Sequence, residues 1–400
     1  MKCKSKSAEW RKAEKLFSHL HASSVFALAG SGPLPYSTLE ETDRDLEELL
    51  DECPSFFPAL FHRAEYYLRI GRNDEGEDLF DQGYNYLIDQ MNDQAEFRVF
   101  FLQKMDNLEK LLRYDLAIEY LEKAIQEYPK VAIFYDYLAY YLLLMPKIDL
   151  QKAMKIQEKA LSMEPDNDCF LNTMGWIQLL QGNYNDARKN FKKALEKNKH
   201  NTSSINYLDA TDYMQRNNIS YFNYLIRPVD MDKMEQIAQE GEVDDICHFS
   251  RLYNTNRLDA FTMHHLHTES LLPHEILNIV HPFKDFMNAV EDTVGDEVFL
   301  YENADMLIKE ARYFFFQFVV RYDNIHEHFI EDVLKSLRSV YNFFQEVQLV
   351  TPEKYQLLVE RYIPVTKEFT DKIEGYNKIR YNPNLEKEEK ERMVESLFGL

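Results

Sequence analysis

Apolar residues recur along the first half of the chain at steps of three and four. In the run LNTMGWIQLLQGNYNDARKNFKKA, residues 171–194, Tyr184, Ala187, Phe191 and Ala194 follow one another at steps of three, four and three. Those steps place all four on one face of a helix. Gly182 ends a preceding helix, and Gly175 supplies a small residue where two helices approach closely. The pattern predicts a pair of short helices joined by a tight turn.

The pattern repeats. Ala187 follows Ala153 at an interval of 34, and Ala194 follows Ala160 at the same interval. Ala153 follows Ala117 by 36, as Pro165 follows Pro129, so that junction is longer by two. Further back, Ala64, Gly71 and Phe80 keep the register after an insertion of seven near 90–96. Units therefore fall near 57–90, 98–131, 134–167 and 168–201, with one more helix at 202–217 and an earlier degenerate unit closed by Pro54.

Gly175, Gly182, Tyr184, Ala187, Phe191 and Ala194 match the signature of the tetratricopeptide repeat, and the segment resembles that family. Two positions depart: Leu171 replaces the early Trp and Lys199 the closing Pro. The resemblance implies an all-α superhelix of helix-turn-helix units whose first helices line a concave face. Carried over position by position, it puts Tyr135, Leu138, Leu142, Asn172, Trp176, Asn206, Ala210 and Tyr213 on that face. The Lys/Asn/Lys/Arg set with which some family members hold a C-terminal carboxylate is missing. Leu102, Asp106, Leu138 and Leu142 stand at comparable places. An apolar, aromatic groove suits an amphipathic or extended apolar segment of a partner polypeptide. Trp176 and Tyr213 are residue types that dominate interface energetics, and Asn172 and Asn206 carry amides able to pair with a peptide backbone. Two other outcomes are open: Trp176 packs between helices, or the chain's own second half occupies the groove.

After Tyr221 the repeat signature fades, while helical patterning continues over 273–294, 296–322, 325–350 and 352–374. Thr351-Pro352 and Asn382-Pro383 read as helix starts. Gly241, Gly295 and Gly375 read as breaks. The aromatic run RYFFFQFVVRY, residues 312–322, predicts a helix buried on several sides. Three regions result: N-terminal helices at 1–56, repeats at 57–217, and a helical C-terminal domain at 218–400. The end of the tail, with Met393, Val394, Leu397 and Phe398, can dock or fray.

Composition sharpens the reading. Only 11 Gly and 13 Pro in 400 residues favour long helices over sheet. A net charge of −22 argues against nucleic acid as partner, and the basic stretch 188–199 reads as a solvated helix face. Cys3, Cys53, Cys169 and Cys247 form no CxxC pair and suit free thiols. No apolar run is long enough to span a bilayer. A cytoplasmic protein is the expectation. Histidines cluster at His264, His265, His267, His274, His281, His326 and His328, without a zinc-type pairing. No phosphate loop, dinucleotide fingerprint or nucleophile elbow is present. The sequence thus predicts a non-enzymatic scaffold or adaptor without cofactor. The alternatives are a metal-dependent enzyme built on the histidine-rich half, or a peptide-sensing regulator.

Overall fold

The computed structural model describes residues 7–28, 36–240, 243–295, 299–321 and 327–399. Cys3, Gly241 and His326 lie outside them. Among the described residues the protein is all-α, with twenty helices and no strand. In chain order these are α1 (Ala8–Leu28), α2 (Tyr36–Glu52), α3 (Phe57–Arg69), α4 (Asn73–Gln90), α5 (Gln94–Lys110), α6 (Tyr114–Glu127), α7 (Ala132–Leu144), α8 (Leu150–Met163), α9 (Asp168–Leu180) and α10 (Tyr184–Lys197). They continue as α11 (Thr202–Asn217), α12 (Tyr221–Leu225), α13 (Met231–Glu240), α14 (Val243–His267), α15 (Pro273–Val294), α16 (Ala304–Lys309), α17 (Ala311–Arg321), α18 (Glu327–Glu346), α19 (Pro352–Arg380) and α20 (Lys387–Phe398). None is long and apolar enough to cross a membrane.

The chain forms two compact units. One comprises residues 87–227 and 262–273; the other comprises 1–86, 228–261 and 274–400. In the first, helices pair as α5/α6, α7/α8 and α9/α10, followed by α11, each packed on its chain neighbour, and α9 also touches α7 and α11. The alanines of the repeat register, Ala117, Ala124, Ala153, Ala160, Ala187 and Ala194, are fully buried. Small side chains there let the second helices lie close against the first. Gly175 is the tightest case: a Cβ would stand 2.6 Å from the Phe191 ring. Gly182 adopts φ +78°, which closes the turn into α10. Asn167 and Asn201 cap α9 and α11 by accepting backbone N–H bonds.

The second unit buries a dense aromatic core. Phe286, Phe315, Phe318, Tyr362 and Phe369 meet ring to ring, and the apolar run in α17 is buried through Phe314, Phe315, Phe316 and Phe318. Three buried tyrosines each donate a hydroxyl proton to a backbone carbonyl: Tyr341 to Tyr301, Tyr362 to Leu307 (3.2 Å) and Tyr376 to Val319 (3.3 Å). Each satisfies a buried carbonyl while filling core volume.

Several local expectations change here. The single helix expected over 296–322 is two, α16 and α17. Asn254 donates to the Phe299 carbonyl (2.9 Å) and accepts from the Tyr301 N–H (2.9 Å), so that stretch of backbone pairs with side chains and not with a helical ladder. Gly375 does not break α19; it faces Leu397, which a Cβ there would meet at an ordinary contact distance of 3.5 Å. Asn382-Pro383 forms a turn in which Asn382 accepts from the Asn384 N–H (2.9 Å), and α20 starts only at Lys387. Of the two outcomes open for the tail, docking occurs: Val394 and Phe398 are buried, the Phe398 ring stacks on Phe369 at 4.6 Å, and Met393 stays exposed. The expectation of free thiols fails at Cys53, which is disulfide-bonded, whereas Cys169 and Cys247 are free.

Candidate protein-interaction site

The helix boundaries correct the repeat register. The helices α8 and α10 start at Leu150 and Tyr184, an interval of 34, but α7 and α9 start at Ala132 and Asp168, an interval of 36. The difference of two therefore lies in the α7–α8 turn, residues 145–149, where the α9–α10 turn needs only 181–183. Counted from the helix starts, Asp136 and Tyr140 stand where α9 has Asn172 and Trp176. On α5, which is longer at its start, counting back from the helix ends Leu180 and Lys110 gives Leu102 and Asp106; on α11, counting from the start gives Asn206 and Ala210. Counting back from the alanines of the second helices passes over Asp136 and Tyr140; the proline at 146 is the sequence signal that the turn differs.

The residues named from sequence occupy distinct environments. Tyr135 is half-buried against the Ala132–Ala160–Phe170 cluster, and its hydroxyl donates to the Pro129 carbonyl at 3.0 Å. Leu138, Leu142 and Trp176 are buried, at 4%, 8% and 4% exposure. Asn172 is half-buried and accepts from the Ser204 hydroxyl at 2.8 Å. Asn206 is half-buried, and Ala210 is buried. Tyr213 is half-buried, edge-on to Tyr224 at 5.9 Å.

What the structure brings together is a row of rings. Tyr140 lies 5.6 Å from Trp176, Trp176 stacks on Tyr207 at 5.5 Å, and Tyr221 stands edge-on to Trp176 at 6.3 Å. Tyr221 stacks on Tyr224, over which the Arg227 guanidinium sits at 3.8 Å. Tyr137, Tyr140, Tyr207, Tyr213 and Tyr221 are all partly open to solvent, whereas Leu138, Leu142 and Trp176 are buried. The indole Nε1–H of Trp176 is buried and meets no acceptor. Such a donor costs about 1–3 kcal/mol.

One end of the row is acidic. Glu109 on α5 accepts hydrogen bonds from Tyr140 (2.9 Å) and Tyr141 (3.3 Å). Burial raises its pKa above the usual carboxylate range; the two hydroxyls oppose the rise, and Asp106 adds to it. Tyr137 has a raised pKa through burial and the neighbouring Asp106. Among the described residues neither Glu109 nor Asp106 forms an ion pair. Deeper in the same pair of units, Asp136 is 6% exposed. Gln157 Nε2 donates to its Oδ1 at 2.7 Å and to the Phe170 carbonyl at 2.8 Å, which leaves Gln157 Oε1 without a partner. Burial lifts the Asp136 pKa to about 6.

The histidines do other things. His264 packs edge-on to His265 and near Phe222, and His265 Nδ1 pairs with the Ser270 hydroxyl at 2.7 Å. In the other unit, Arg69 contacts Asn278 (2.5 Å) and His281 (3.4 Å), and burial followed by Arg69 pushes the His281 pKa down to about 3. Among the described residues no three His, Cys, Asp or Glu side chains gather as a metal would need.

With paired helices, register alanines and helix-turn glycines in place, the class is defined. Residues 169–201 and 101–130 each match the tetratricopeptide repeat family. The chain therefore contains tetratricopeptide repeats, units of the kind from which protein-interaction scaffolds are built. No curated protein matches the chain significantly. Among solved structures it is similar to a MamA RS-1 double mutant, with 18% identity over 48% of this chain and 96% of that one and a TM-score of 0.32. It is also similar to YrrB, described as a TPR protein with an unusual peptide-binding site, with 14% identity over 50% and 97% and a TM-score of 0.32. A third, the P58(IPK) TPR domain, shows 13% identity over 90% and 98% and a TM-score of 0.22. These overall likenesses are low; the repeat assignment rests on the family matches and the helix geometry.

Proposed function

We propose that the protein is a non-enzymatic adaptor that holds a segment of a partner polypeptide on the ringed face of α5, α7, α9 and α11. The array taken as 57–217 supplies the face, and the helices of 218–400 serve as a second body. The row of partly open tyrosines, with Leu138, Leu142 and Trp176 buried, carries this reading. Tyrosine offers a large, stiff, amphipathic contact at low entropic cost, and a partner's backbone carbonyl can satisfy the Trp176 indole. Asn206 and Asn172 stand at one position on adjacent helices and offer amides to the same segment. The disulfide at Cys53 weighs against the reducing, cytoplasmic setting expected from sequence, while Cys169 and Cys247 are free thiols.

Affinity purification of the full chain from its host tests the proposal. Tyr140→Ala with Tyr207→Ala is expected to remove the partners captured by the wild type while the circular dichroism spectrum is preserved. Retention of the same partners by that folded variant contradicts it. Of the alternatives, the metal-dependent reading draws on histidine clusters that pack on Phe222, Ser270 and Arg69.

A further inference from the structure

From the acidic end of the ringed face, we infer that the partner segment carries a lysine or arginine side chain that enters between Asp106, Glu109, Tyr137 and Tyr140. The inference rests on the adaptor reading and names the chemistry of its occupant.

Four observations converge on it. Glu109 is held by two tyrosine hydroxyls and, among the described residues, forms no ion pair, the Lys110 charge acting on it only at longer range. The Lys110 ammonium, next along the helix, is exposed and makes no ion pair with it. Asp106, one helical turn before Glu109, adds a second carboxylate beside Tyr137. Hydroxyls alone stabilise a half-buried pair of carboxylates less than an opposite charge does. Tyr137 and Tyr140 turn their hydroxyls to these carboxylates, and phenol oxygens beside two carboxylates add acceptors for an ammonium or guanidinium group. Independently, the Trp176 indole N–H, in a side chain only 4% exposed, meets no acceptor, and its ring packs on Tyr140. A peptide answers both needs at once, with a backbone carbonyl for the indole and a basic side chain for the carboxylates. A small cation would answer only one. The net charge of −22 draws basic segments to the protein at longer range.

The experiment is selection of a random dodecapeptide display library on the intact chain. Three versions are compared: wild type, Asp106→Asn with Glu109→Gln, and a charge control with Glu158→Gln and Glu196→Gln on the second helices α8 and α10. The wild type and the control are expected to enrich peptides with a Lys or Arg beside apolar residues. The Asp106/Glu109 variant is expected to lose that basic preference and to bind the selected peptides at least tenfold more weakly. Replacing the basic residue of a selected peptide by Gln should cost the wild type the same factor and the variant nothing. Enriched peptides without basic residues, whose binding needs Tyr140 and Tyr207, overturn the cationic subsite and leave the adaptor reading intact. Enrichment indifferent to Tyr140, Tyr207, Asp106 and Glu109, or no enrichment at all, overturns both. A basic preference shared equally by all three versions overturns the subsite by assigning the preference to overall charge.

Discussion

Phe191 and Gln157 occupy the same position in successive second helices, and the interfaces they build differ in kind. Phe191 is fully buried, presses on Gly175 and stacks on Tyr207 at 5.5 Å. Gln157 is equally buried, but it reaches the Asp136 carboxylate and the Phe170 carbonyl, and the counterpart of Gly175 in this unit is Ala139. An aromatic ring needs the space that glycine leaves; a narrower amide chain tolerates alanine. One interface is held by apolar burial. The other is polar, and its Asp136 is ionised at neutral pH at a cost. A rise from 3.8 to about 6 corresponds to roughly 3 kcal/mol at 1.36 kcal/mol per unit. That net cost remains after the opposing hydrogen bonds from Gln157 and Thr173. Family resemblance thus places a repeat without saying how strongly its neighbours are joined.

The largest expected effect is at the apolar interface. Phe191→Ala should destabilise the repeat unit by about 3–5 kcal/mol. This is read as a lower denaturant midpoint for Trp176 fluorescence in a Trp10→Phe background, with Trp10 being the only other tryptophan. Gln157→Ala, which removes one of the two donors to Asp136 and leaves Thr173, should cost less in the same assay. Equal losses would erase the contrast between the interfaces.

Next comes the coupling of ring to glycine. Gly175→Ala should cost about 1–3 kcal/mol, because its Cβ falls 2.6 Å from the Phe191 ring. In a Phe191→Leu background the same substitution should cost much less, and a double-mutant cycle measures the difference. Additivity would show that the close approach is not what selects glycine here.

The smallest effect has the opposite sign. The Asp136 pKa is raised in the folded state, so the folded form holds its proton more tightly than the unfolded form. Its destabilising contribution is absent below about pH 4, grows as pH rises through about 6, and is complete at pH 7. Asp136→Asn, which copies the amide that Asn172 presents at the same position, should therefore raise the midpoint at pH 7 by the equivalent of about 1–2 kcal/mol. The gain should vanish near pH 4. A destabilised variant at pH 7 would mean that the charged hydrogen bond from Gln157 outweighs desolvation.

How much of this is legible in the chain follows from where the period is strict. The second helices keep one interval from Ala153 to Ala187 and from Ala160 to Ala194, so the repeats, their order and the buried alanines can be read directly. The first helices slip by two because the α7–α8 turn around Pro146 is longer. Spacing alone therefore puts the face of α7 at Tyr135, Leu138 and Leu142 and not at Asp136 and Tyr140. Trp176 is legible, but its cover, Tyr207 and Tyr221, comes from α11 and α12 and has no spacing signature. Glu109 is one of 68 acidic residues; only the hydroxyls of Tyr140 and Tyr141, brought from another helix, distinguish it. The late start of α16 is hidden because the side chain that holds the backbone at 299–301 out of a helix, Asn254, lies far upstream on α14.

The Trp176 indole tests the central claim most directly. In protein labelled with 15N-tryptophan, two side-chain N–H signals are expected, from Trp10 and Trp176, and substitution of each assigns them. On titration with a selected basic peptide, the Trp176 signal should move downfield as its proton finds an acceptor, while the Trp10 signal stays in place. A Trp176 signal unchanged at saturating peptide would place the bound segment somewhere other than the ringed face and contradict the account.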